Sequence, residues 1–223
     1  MIIKISENKY KIRGTKVVMP YSPELTPAEC RLVFGLQKIF DSRYIMVDVY
    51  LPKPDSKKLD GRRQAHLLAD ADLVQIDCLA MDQRGIFVFE SKDYVGWIYG
   101  HGDRVHWTQV SAYGKNKHQF YSPVRQNQAH VEAVKGIFGG LVPVYSVIVF
   151  GNDANLKVVT DLPECCYVGT QVNLGRILAK VEGARFSEAQ MEDIWGKLEA
   201  SRVRPSTIVR DEHVEEIAGR DQD

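Results

Sequence analysis

This 223-residue sequence has no long apolar stretch. Its longest run, Leu141 to Phe150, contains Pro143 and falls far short of the roughly 20 residues that a membrane helix needs, so no spanning segment is expected. The opening residues, MIIKISENKYKIRG, lack the roughly 7–15-residue apolar centre of a secretory leader, which makes the cytoplasm the expected compartment. Cysteine is scarce: Cys30, Cys78, Cys165 and Cys166 show no C-x-x-C spacing, and the adjacent pair cannot hold a tetrahedral zinc without two further ligands, so reduced structural thiols are expected. Neither sign of charge is in excess, with 29 Lys+Arg against 29 Asp+Glu, so overall basicity offers no argument for nucleic acid. The patterns G-x-x-x-x-G-K-[ST], G-x-S-x-G, H-E-x-x-H and G-x-G-x-x-G after a strand are all missing. P-loop, serine-hydrolase, zincin and dinucleotide-binding readings lose their support.

What is present suits a folded domain: 44% hydrophobic and 26% charged residues. Residues 1–25 read as a strand-like lead-in. Thr26-Pro27-Ala28-Glu29 is a helix start with a cap, a first-position proline and a capping-box glutamate, and Leu32, Val33, Leu36, Ile39 and Phe40 continue at helical spacing. Tyr44 to Leu51 alternates as a strand, and residues 52–66, with five Lys/Arg against two Asp, read as an exposed basic loop. Leu73 to Ala80 and Gly85 to Lys92 form a hairpin, and Gly96 to Tyr99 with Val105 to Thr108 form a second. Ser122-Pro123 opens a helix with Val124, Val131, Val134 and Phe138 on one face, stopped by Gly139-Gly140. Val144 to Phe150 reads as a strand buried on both faces, Ser187 opens a last helix to about Leu198, and residues 201–223 are expected to form a loosely held tail. The order predicts an α/β domain with a mixed sheet.

Chemistry can sit at Asp77 and at Glu90-Ser91-Lys92. Strand alternation puts Glu90 and Lys92 on one face with Ser91 pointing away, and the hairpin turn can return Asp77 opposite Glu90. Charges on a strand as apolar as Ile86-Phe87-Val88-Phe89 need a reason, because burying them without partners costs several kcal/mol. A plain ion pair of Lys92 with Glu90 or Asp77 on an exposed sheet face is one reading. A divalent-metal site is the other, with paired carboxylates as hard oxygen ligands and the lysine holding an attacking water or stabilising charge on phosphate.

Val74-Gln75-Ile76-Asp77, Gly85 to Tyr94, Gly96-Trp97-Ile98-Tyr99-Gly100, Trp107 and Ser122 to His130 resemble the nuclease-related domain, NERD, of the PD-(D/E)xK superfamily. The resemblance covers about residues 26–150, leaving 151–200 as a C-terminal helical elaboration. It implies a restriction-endonuclease-like α-β-β-β-α-β core with a mixed sheet and an extra β-hairpin. It further implies Asp77 and Glu90 as ligands of Mg²⁺ or Mn²⁺, Lys92 as the catalytic lysine, and Glu29 and Gln126 as accessory catalytic residues. Ile76 stands where the superfamily often has proline.

Several of these residues have a plainer alternative. Glu29 could merely close its capping box, although Leu32, Val33 and Leu36 share its face. Gln126 and His130 are one helical turn apart; Gln126 can donate to phosphate or water, and His130 reads as structural. Trp97 and Trp107 read as facing each other across the second hairpin, for core packing or for base stacking. Lys57, Lys58, Arg62 and Arg63, with Lys115, Lys117 and Arg125, could guide a DNA backbone toward the acidic locus, or could simply be solvated. The expected function is a metal-dependent deoxyribonuclease. The competing expectation is a nucleic-acid-binding or interaction module with this fold and no cleavage.

Overall fold

The structure is a computed structural model that describes residues 2–6, 9–19, 25–54, 73–111 and 114–203. A three-stranded antiparallel meander comes first: β1 (Ile2–Ser6), β2 (Lys9–Ile12) and β3 (Val18–Met19). Helix α1 (Pro27–Leu36) has the expected capping box, but it ends at Leu36 because the chain tightens into turns that still deliver Phe40 to the core. Next come β4 (Ile45–Pro52), β5 (Leu73–Asp82) and β6 (Gly85–Lys92). They are followed by β7 (Gly96–His101), β8 (His106–Ser111), β9 (Asn116–Tyr121) and α2 (Pro123–Phe138). The chain continues through β10 (Val144–Phe150), β11 (Ala154–Thr160), β12 (Cys166–Thr170), α3 (Leu174–Leu178) and α4 (Glu188–Ala200).

The central sheet has the order β12-β10-β6-β5-β4. Strands β6, β10 and β12 are parallel, while β5 and β4 run antiparallel to their neighbours. Every residue of β10 is buried because both faces are covered. On one face Val131, Val134 and Phe138 of α2 and Trp195 and Leu198 of α4 pack on Leu79, Ile86 and Val88; on the other, Leu32, Val33 and Leu36 of α1 pack on Phe87, Phe89 and Val147. Asn127 ties α2 down by donating to the Val88 carbonyl and the Ser146 hydroxyl, and the left-handed Gly139 (φ 57°) ends the helix.

A second mixed sheet, β11-β7-β8-β9, packs its inner face against Val124, Ile148 and Phe150. This makes the expected hairpin the centre of a four-stranded sheet, and the C-terminal part contributes strands to both sheets rather than helices alone. Trp97 and Trp107 are not cross-strand partners: Trp97 opposes Val110 and is 40% exposed, whereas Trp107 is buried and stacks on Phe150. Gly100 makes room for Trp107, since a Cβ there would lie 2.3 Å from the indole. The 52–66 loop lies almost wholly outside the described residues. Of the tail, only 201–203 is described, and Val203 bridges to Tyr50. Among the described residues no helix is long and apolar enough to cross a membrane.

Candidate active site

Side chains collect where β6 ends and the first turns of α1 and α2 arrive from opposite faces of the sheet. The β5–β6 ladder runs to the pair Cys78 and Phe89. One step further the Asp77 carboxylate, rather than a main-chain carbonyl, accepts the Ser91 N–H at 2.7 Å. Glu90, only 2% exposed, takes the Lys92 ammonium on Oε1 at 2.9 Å, and the same ammonium donates to Gln126 Oε1 at 2.8 Å. Asp77, Glu90 and Lys92 therefore share one locus, and the pair lies in a buried setting, not on an exposed face. His130 reaches it from α2, with Nδ1 3.5 Å from Glu90 Oε2.

Glu29 fills both of its expected places. Its carboxylate accepts from the Thr26 N–H while its own N–H donates to Thr26 Oγ1, which closes the capping box. It is also half-buried and feels Asp48 and Glu90. Burial is the chief cause of its raised pKa, those two charges add to it, and the Thr26 bonds oppose it.

The sequence reading missed Asp48, which is buried with a left-handed φ of 52° in the middle of β4. Val47 packs on the α1 side and Val49 on the α2 side, so the two-residue alternation breaks at Asp48. The adjacent strand does the same across Asp77, with Cys78 and Ile76 on opposite faces. Gln75 donates to Asp48 Oδ1 at 2.8 Å. A non-glycine residue in this conformation costs roughly 1 kcal/mol or more, and such strain gathers at functional sites.

The electrostatics are lopsided. Among the described residues, Asp77 and Glu90 act on the Lys92 ammonium, Glu29 acts on Asp77, Asp48 acts on Glu29, and His130 lies alongside Glu90. The pKa of Asp77 is pushed well up, first by burial and then by the charges of Glu90 and Glu29; the Ser91 N–H and Lys92 pull it back without prevailing. Burial acts to lower the pKa of Lys92, but Glu90, by charge and hydrogen bond, and then Asp77 outweigh it, so the net shift is upward. Glu90 Oε2 is buried and accepts no hydrogen bond among the described residues.

The expected basic residues are dispersed. Lys115 and Lys117 are exposed, Lys117 within β9, and Arg125 is exposed in the first turn of α2 with Nη2 3.3 Å from the Asp103 carbonyl. Lys57, Lys58, Arg62 and Arg63 lie outside the described residues.

A family model for the nuclease-related domain matches residues 28–151, more than half of the chain. The chain belongs to that family. The NERD span takes in Glu29, Asp48, Asp77, Glu90, Lys92, Gln126 and His130, and it closes one residue after β10. Strands β11 and β12 and helices α3 and α4 lie beyond it. An uncharacterized protein of Bacillus anthracis is 32% identical over a stretch covering 46% of this chain and 53% of that relative. The chain thus spans about half the length of the curated relative it matches. No solved structure matches.

Proposed function

We propose that the protein is a divalent-metal-dependent nuclease hydrolysing phosphodiester bonds in DNA. One observation carries the reading: the buried Glu90 Oε2 has no hydrogen bond among the described residues, in a cluster where carboxylates outnumber cations. A hard cation relieves both conditions. Mg²⁺ or Mn²⁺ suits the donor set, because such ions take one or two carboxylates and leave the remaining positions to water and phosphate oxygens. Among the described residues no three or more His, Cys, Asp or Glu side chains are grouped to hold a metal ion, so the ion would rest on two carboxylates, water and phosphate.

Asp77 and Glu90 would hold the ion, which when bound polarises the phosphate and acidifies water. Glu29, held at the same edge, adds negative charge that favours it. Lys92, held by Glu90 and Gln126, would contribute as an ammonium that orients a water and neutralises charge developing on phosphate. Gln126 accepts from Lys92 and fixes its direction. Lys57, Lys58, Arg62, Arg63, Lys115, Lys117 and Arg125 would steer the DNA backbone.

The test is incubation of plasmid and single-stranded DNA with the protein in Mg²⁺, Mn²⁺ or EDTA. Cleavage that needs the metal and disappears in Asp77→Asn supports the nuclease. DNA binding without cleavage in either metal favours the alternative, an inactive binding module. The direct Lys92 to Glu90 pair, which neutralises one carboxylate without any ligand, is the observation on that side.

A further inference from the structure

The four strands of the second sheet contain no aspartate or glutamate. Cross-strand partners project from the same face, so pairing defines its outer surface. One row is Asn155, Trp97, Val110 and Lys117; the next is Val158, Tyr99, Thr108 and Gln119; His106 and Tyr121 start a third. Trp97, Val158 and Tyr121 are exposed there, as are Lys117 and Lys157. Lys157 Nζ lies 5.1 Å from the centre of the Trp97 ring. The nearby carboxylate of Asp161 is taken by His101 Nε2 at 2.8 Å. Trp107, by contrast, is spent on the inner face.

We infer that this outer sheet face, centred on Trp97, Lys157 and Lys117, binds single-stranded DNA by stacking a base on the indole and pairing phosphates with the lysines. An exposed tryptophan flanked by cations and free of neighbouring strand carboxylates is complementary to a chain that alternates π-faces with negative charge. Duplex DNA hides its base faces within the stack and cannot use the indole in this way. The exposed contact of Lys157 with the ring is the weaker interaction; a base would take the ring and leave the ammonium for phosphate. The face is distinct from the carboxylate locus but tethered to it: only residues 93–95 separate Lys92 from β7, and Phe150, beneath Trp107, is in register with Lys92. The choice of DNA rests on the proposed nuclease substrate; the stacking surface itself does not.

Binding of fluorescein-labelled oligo(dT) is measured by anisotropy in EDTA, across a salt series, with oligo(U) and duplex DNA as parallel arms. Thermal melts of each variant check folding. Trp97→Ala should weaken oligo(dT) binding between about fivefold and a hundredfold, the range for loss of one stacked base, and Trp97→Phe should retain most of it. Lys117→Gln with Lys157→Gln should flatten the slope of log K against log salt by about 1.4, at roughly 0.7 per phosphate on a single strand. Unchanged oligo(dT) binding in folded Trp97→Ala overturns the inference. So does preference for the duplex or for oligo(U), or an effect of Trp97→Ala on self-association alone. Trp97-dependent binding in a protein that never cleaves DNA upholds this surface and removes the nuclease reading instead.

Discussion

The β5–β6 hairpin carries an acid and a base two residues apart at each of its ends, and only one of these pairs has the character of a reactive site. At the turn, Asp82 and Arg84 form an ion pair, and the guanidinium also donates to the Leu178 and Val181 carbonyls. Both side chains keep about a quarter of their surface in water (28% and 26%), and one positive group meets one negative group. At the far end, Glu90 is 2% exposed and Lys92 is 19% exposed, and the charges of Asp77 and Glu29 lie close enough to be felt there. The spacing is the same. What differs is that the turn pair is satisfied by its own protein, whereas the buried pair leaves Glu90 Oε2 without a hydrogen bond among the described residues, beside further carboxylates.

The largest expected effect comes from removing one of those carboxylates. Glu90→Gln and Asp77→Asn should each bring metal-dependent cleavage to background, because a neutral amide no longer holds a hard cation. Asp77→Asn keeps an oxygen for the Ser91 N–H and sheds a repelling charge, so in EDTA its melting temperature should equal or exceed that of the wild type. Retained cleavage in either folded variant, at saturating Mg²⁺ and Mn²⁺, would take that residue out of the site.

Exchanging the two bases sharpens the contrast. Lys92→Met should lower turnover by about 10²–10⁴. It should also destabilise the metal-free protein by on the order of 3 kcal/mol, because the buried Glu90 loses its ammonium partner, and Mg²⁺ should restore part of this. Arg84→Met forfeits bonds to two carbonyls and to Asp82, a loss of about 1–3 kcal/mol, with turnover per folded molecule unchanged. Equal loss of turnover in the two variants would erase the distinction.

A sequence shows such pairs but not their surroundings. The hairpin, both α2 boundaries and the buried β10 were legible because local pattern and tertiary role agree there. Strands β9 and β11 were not: NKHQFY and ANLKVVT lie largely exposed on a second sheet, so no strict apolar alternation announces them. Asp48 reads as the outward residue of an alternating Val-Asp-Val strand, and only its left-handed backbone turns it inward. His130 sits at a core-facing helical position, and its place 3.5 Å from Glu90 depends on how α2 docks on β6. Asp77, Glu90 and Lys92 were recognisable from their place in an ordered run of motifs; the carboxylate surplus around them is a product of the fold.

A smaller effect is expected in pH dependence. The folded-state pKa of Asp77 is raised above its ordinary value of 3.8. Its contribution to stability is therefore complete below that value and is lost as pH rises through the folded-state pKa. In EDTA the melting temperature of the wild type relative to Asp77→Asn should fall as pH climbs above about 3.8, and Mg²⁺ should oppose the fall at neutral pH. Asp82, in its balanced pair at the turn, provides the control: Asp82→Asn should show no Mg²⁺-dependent change. A constant wild-type to Asp77→Asn difference across the range would mean that the carboxylate surplus is not felt.

The smallest effect separates the two occupations of Glu29. A capping box accepts glutamine as well as glutamate at its third helical position, so Glu29→Gln keeps the bond to the Thr26 N–H and should change stability by no more than about 0.5 kcal/mol. It removes a negative charge that Asp77 feels, so the Mg²⁺ concentration giving half-maximal cleavage should rise a few-fold. Thr26→Ala does the reverse: it deletes the cap, at about 1 kcal/mol, and leaves the carboxylate charge in place. Melting temperature and Mg²⁺ dependence, measured on both variants, should therefore move in opposite pairs. If Glu29→Gln leaves the metal dependence where it was, the residue is a helix cap like Gln190 of α4, which closes the same kind of box. The acidic locus would then consist of what the sheet alone supplies, at Asp48, Asp77 and Glu90.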